Sequence, residues 1–123
     1  MVLLQEITSG QYNLFFGNFA GGNVTSGACN VYLGRGAGGA AGSGGTGSSN
    51  IAIGCYTGGC LSSGAYNVMF GRGAGWCVTT GSYNIAIGCK AGQKMGVGEG
   101  NISIGREAGG NEGTAADNDA ANN

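Results

Sequence analysis

The 123-residue chain has no histidine and no proline, and only 9% of its residues are charged. The lack of histidine removes the commonest general base and a frequent zinc ligand, and no CxxC pair takes its place. With no close carboxylate pair inside the ordered pattern and no nucleophile in a unique setting, the composition argues against an enzyme and against a bound metal or cofactor. A net charge of −1, with the five cations Arg35, Arg72, Lys90, Lys94 and Arg106 scattered along the chain, offers no basic surface for nucleic acid. Calcium-binding β-rolls need an aspartate in each repeat, and here the only aspartates are Asp117 and Asp119, in a polar tail. The opening "MVLLQEITSG" has too short an apolar run to span a membrane and no basic flank typical of a signal peptide. Export is therefore expected by another route, or after loss of a leader.

What is abundant is glycine, with 30 residues. There is no three-residue period, which excludes collagen, and regularly placed branched apolar residues argue against disorder. The segment "GRGAGG" at 34–39 has the look of a phosphate loop, but no helix-length segment follows it and the pattern recurs. Six units begin "NLFFG", "NVYLG", "NIAIG", "NVMFG", "NIAIG" and "NISIG", at Asn13, Asn30, Asn50, Asn67, Asn84 and Asn101, spaced 17, 20, 17, 17 and 17 residues apart. Counting each asparagine as position 0, glycine recurs at +4, +8 and +14 and alanine at +7, with Thr57 the one exception. A pattern repeated in register is architecture before it is a site. The single long interval contains "GGAAGSGGTGSS", which reads as a loop insertion.

The stretch after each asparagine is short, alternating and rich in Val, Ile, Phe and Tyr, so it reads as a strand bounded by glycine corners. One repeat then makes one coil, and the predicted fold is an all-β solenoid of six coils of about 17 residues with parallel, in-register strands. The solenoid is expected over 13–110, after a strand-like arm at 1–12 and before a flexible polar tail at 111–123. Asn13, Asn30, Asn50, Asn67, Asn84 and Asn101 are expected to stack as a hydrogen-bonded ladder. Positions +1 and +3, such as Ile85 and Ile87, are expected to face the core. Position +2 (Phe15, Tyr32, Ala52, Met69, Ala86, Ser103) would then face outward, where its apolar character, with Tyr12, Tyr66 and Tyr83 at −1, calls for cover by another subunit. Such thin, glycine-rich coils bury little per residue ordered, which also points to a partner.

No capping helix is visible at either end, and Met1, Val2, Leu3, Leu4 and Ile7 form an apolar segment suited to docking on a neighbouring subunit or to folding back as a first coil. Cys60 and Cys77 share +10 in consecutive coils, within reach of a disulfide; Cys55 with Cys60 is a rival pair, which leaves Cys77 for Cys89. Cys55 and Cys89 are two coils apart and too distant to join. Five cysteines leave at least one unpaired, and bridged ones would indicate an oxidising setting. Asn23-Val24-Thr25 is a candidate glycosylation site, whereas Asn101 belongs to the ladder. The Ser/Thr pairs before the +14 glycine (Thr25/Ser26, Ser62/Ser63, Thr79/Thr80) read first as turn formers, with glycan carriers or an ice-facing array as the alternatives.

The unit "GSYNIAIGCKAG" resembles the repeats of trimeric autotransporter adhesin heads and the similar repeats of phage and giant-virus tail fibres. The resemblance extends from Asn13 to about Gly110. It implies a β-roll, three chains packed along one axis, and an extracellular fibre or receptor-binding head. The period of 17 residues is longer than the adhesin repeat, and no coiled-coil stalk or membrane anchor is apparent. The function expected is that of a structural subunit of an extracellular fibre that self-associates along the solenoid axis, as a homopolymer or homotrimer. The alternatives are an adhesive module for surface glycan or a receptor, and an ice-binding solenoid.

Overall fold

The computed structural model describes residues 10–39 and 44–109. Six three-residue strands, β1 (Leu14–Phe16), β2 (Val31–Leu33), β3 (Ile51–Ile53), β4 (Val68–Phe70), β5 (Ile85–Ile87) and β6 (Ile102–Ile104), form one parallel sheet in sequential order. Each residue pairs with its repeat equivalent, as in Ile51 with Val68 and Val68 with Ile85. The register runs through the 20-residue interval unchanged, with Val31 opposite Ile51. The expected β-solenoid is therefore the fold. The arm residues Met1, Val2, Leu3, Leu4 and Ile7 and the 111–123 tail lie outside the described residues.

Most of each coil is corner rather than strand, yet the corners also bond from coil to coil. The +8 amide donates to the +7 carbonyl of the next coil, as Gly58 N to Ala74 O at 2.9 Å, and the +6 amide donates to the +5 carbonyl of the preceding one, as Lys90 N to Arg72 O at 2.9 Å. Glycine at +4 serves such close stacking. Gly17 has φ of +134°, and a Cβ there would lie 2.7 Å from the Gly34 carbonyl carbon, so a side chain is excluded twice over.

The alternation along the strands is as expected but its sense is reversed. Position +2 faces inward: Phe15, Tyr32, Ala52, Met69, Ala86 and Ser103 are buried, Tyr32 to 1% exposure. Positions +1 and +3 face outward, and Leu14 and Phe16 are each 55% exposed. The physical reason is the asparagine. Side chains at 0 and +2 share a face of a strand, so a buried ladder at 0 carries +2 inside with it. Tyr32 and Phe15 fit a narrow interior because the +8 glycines Gly38 and Gly21 have no Cβ where the aromatic rings lie. Two further columns complete the core: the +7 alanines with the buried Thr57, and a +11 column of Val24, Leu61, Val78 and Met95. The Thr57 hydroxyl donates to the Gly71 carbonyl at 2.6 Å, so its polar group is satisfied where the other coils have a methyl.

Candidate functional site

The asparagine column is more tightly bonded than a simple amide stack. The Asn67 side chain donates through Nδ2 to Asn50 Oδ1 at 3.0 Å and to the Gly81 carbonyl at 2.9 Å. Its own Oδ1 accepts the backbone N–H of Asn84 at 2.9 Å and the Asn84 Nδ2 at 3.1 Å. The same pattern recurs at Asn50 and Asn84. Asn30 donates its backbone N–H to Asn13 Oδ1 and its Nδ2 to the Gly47 carbonyl. Asn101 joins through its own N–H and Nδ2, both to Asn84 Oδ1. Asn13, Asn50, Asn67 and Asn84 thus tie the entry to their strands both to the next coil and to the +14 corner, and Asn30 does so to Gly47, which the insertion moves to +17. This is a structural role.

The other singled-out residues separate. All five cysteines are free thiols. Cys60 and Cys77 are brought into contact, and burial, then the neighbouring Cys77, pushes the Cys60 thiol above its ordinary pKa. Cys55 and Cys89 remain two coils apart, on either side of Arg72. Asn23 is half-buried, with its Nδ2 held by the Gly39 carbonyl, so a glycan there would have to break that bond. The hydroxyls of Ser62 and Thr79 donate to the carbonyls of Thr79 and Gly96 in the next coil, at 3.0 and 3.3 Å, while Ser26, Ser63 and Thr80, the second members of the pairs, are exposed. Among the described residues no three His, Cys, Asp or Glu side chains gather as a metal site, and no helix is long and apolar enough to cross a membrane.

Two outer surfaces remain. The first is the outward sheet face, where +1 and +3 build two aliphatic and aromatic columns; Ile102 and Ile104 at its end are 60% and 65% exposed. Tyr66 and Tyr83 at −1 extend it as a parallel stack with ring centroids 5.1 Å apart.

The second is a corner formed by +5, +6 and +9. In every coil the +6 backbone is left-handed, with φ between 57° and 67°, a conformation natural to glycine. Gly36 and Gly73 occupy it in two coils, but Phe19, Tyr56, Lys90 and Glu107 occupy it in the others. Over the first five coils the bulky residues alternate with gaps. A concavity of about 450 Å³ is lined by Phe19, Gly22, Asn23, Arg35, Gly36, Gly39 and Tyr56. A smaller one of about 150 Å³, lined by Tyr56, Arg72, Gly73, Trp76, Lys90 and Gln93, meets it at Tyr56. The Arg35 guanidinium lies 5.3 Å from the centre of the Tyr56 ring, and Trp76 meets the same ring edge-on at 5.6 Å. Gly59 seats Trp76, since a Cβ there would strike the indole. Neither concavity has a carboxylate among its described lining residues.

This corner went unrecognised in the sequence because its residues come from different columns of five coils. The one available signal was the aromatic or cationic residue at a position where the repeat otherwise puts glycine. No protein-family model, curated protein or solved structure matches the chain.

Proposed function

We propose that the chain is a structural subunit of an extracellular fibre that grows by stacking copies along the solenoid axis. The observation that carries this reading is the uniform register: all five strand junctions use the same pairing, so one edge of a coil is complementary to the opposite edge of any other. A head-to-tail contact of that kind adds copies without closing, which yields a filament. The outward apolar face supports lateral packing of such threads, or a homotrimer of the kind the adhesin resemblance implies. The extracellular setting follows from that resemblance. Electron microscopy of the purified protein tests the proposal: unbranched threads with a fibre-diffraction spacing of about 4.8 Å along the axis are expected. Discrete monomers or closed trimers would overturn it.

The corner groove favours a second reading, an adhesive module for surface glycan. It gathers aromatic surface and a few polar and charged groups in a concavity, the usual make-up of a small-ligand site. Binding to a glycan array by the full chain tests this reading independently of filament growth.

A further inference from the structure

We infer that the groove across the first five coils binds an acidic oligosaccharide, a sugar chain bearing carboxylate or sulfate groups. The inference rests on the glycan-binding reading and specifies its ligand. Phe19 and Tyr56 stand at +6 of the first and third coils in the left-handed backbone conformation, where Gly36 and Gly73 show that glycine suffices. Bulky side chains in that conformation are strained, and strain kept against an easier alternative points to a use for the side chain. Phe19 is 58% exposed, so that use is not core packing.

Charge selects the class of ligand. Arg35, Arg72 and Lys90 line the groove and are exposed, and none pairs with a carboxylate among the described residues. An arginine fork holds carboxylate or sulfate oxygens through paired hydrogen bonds, while aromatic surface takes the apolar face of a ring. Asn23, through its Oδ1, and Gln93, through its amide, stand one at each end of the pair of concavities to meet hydroxyls.

A single-stranded nucleic acid would use similar groups but fits the spacing poorly. The Phe19 and Tyr56 positions are two coils apart, about 9 to 10 Å, whereas successive bases stack at about 3.4 Å. Three cations over the groove also fall short of a line of phosphates.

The test uses the full chain and its one tryptophan, Trp76, as a fluorescence reporter inside the groove. It is titrated with an oligogalacturonate, a heparin-derived oligosaccharide of matched length, a neutral β-glucan oligosaccharide and an oligo-dT. A saturable change is expected with one or both acidic sugars, with neutral sugar and oligo-dT about tenfold weaker or worse. R35A and R72A should each weaken acidic-sugar binding by about tenfold, the loss of a charge-assisted contact, with circular dichroism unchanged. R106A, outside the groove, should bind as the parent does. Equal affinity for neutral sugar with R35A and R72A silent would overturn the acidic ligand and leave glycan binding standing. No response to any sugar would overturn both. Oligo-dT binding as tightly as the acidic sugars, or R106A as damaging as R35A, would overturn the groove as a carbohydrate site.

Discussion

The asparagine column and the outward strand columns are neighbours in every coil, yet the amide is hidden and the isoleucines beside it are exposed. Asn50, Asn67 and Asn84 have no accessible surface, while Ile87 and Ile104 are 39% and 65% exposed. Side-chain hydrophobicity alone would arrange them the other way round. The difference teaches that in so thin a coil the interior is allotted by hydrogen-bond closure and available space. Amide groups that satisfy one another and the corner carbonyls can be buried at little net cost, and the +2, +7 and +11 columns, from alanine up to Tyr32, fill the rest. The aliphatic side chains at +1 and +3 lie on the opposite side of the strand by parity and stay at the surface.

The severest break of that contrast is in the column itself. Asn67→Ala removes two donated and two accepted bonds at the middle of the ladder and strands the Gly81 carbonyl and the Asn84 N–H. With unsatisfied buried groups costing about 1 to 3 kcal/mol each, a loss of about 3 to 5 kcal/mol is expected in urea unfolding. Asn13→Ala, at the half-buried end, should cost about 1 to 2 kcal/mol. Equal costs at the two positions would show that the column is not cooperative along its length.

The reversed facing is tested one position at a time in a single strand. Ala86 is fully buried and abuts the space at Gly92, so Ala86→Leu should cost about 1 to 3 kcal/mol by overpacking. The adjacent Ile87→Leu should be nearly silent. If the two effects were interchanged, the strand would have the opposite facing.

How much of this was legible follows from the same residues. The coil boundaries, the parallel register and the Asn ladder could be read because the asparagine at position 0 and the glycines at +4 and +8 recur in all six units. The facing was not legible from hydrophobicity, which ranks Ile85 and Ile87 as inward, whereas burying Asn84 requires Ala86 inside by parity. The +11 core column was not anticipated, since Val24, Leu61, Val78 and Met95 differ in kind and sit in a corner with no strand alternation to announce them. The Arg35–Tyr56–Trp76 corner exists only once coils are stacked, so no single repeat contains it.

Tyr32 sharpens the contrast from within, as the largest side chain buried among small ones. Burial raises its phenol pKa well above the ordinary value, an effect only partly offset by the neighbouring Asn50 amide. A phenol whose folded pKa is raised contributes stability that is intact below its unfolded pKa of about 10 and is lost as pH rises from there toward the folded value. Stability should therefore fall by about 1 kcal/mol per pH unit above pH 10, and Tyr32→Phe should flatten that decline. An unchanged slope in the phenylalanine variant would place the alkaline loss elsewhere.

The smallest effect on the folded chain is expected on the outer face, and there it separates two kinds of association. Ile53→Lys with Ile87→Lys puts charge into the +3 column without touching the ladder or the +2 core. Substitutions at such surface positions usually change stability by no more than about 0.5 kcal/mol. Lateral packing through the face should nevertheless be lost, because an unpaired ammonium cannot be covered by an apolar partner without a large desolvation cost. Stacking along the axis uses backbone edges, so threads should persist as single, unbundled filaments under the microscope. Bundles surviving the double substitution would mean that the isoleucine face is not what joins them.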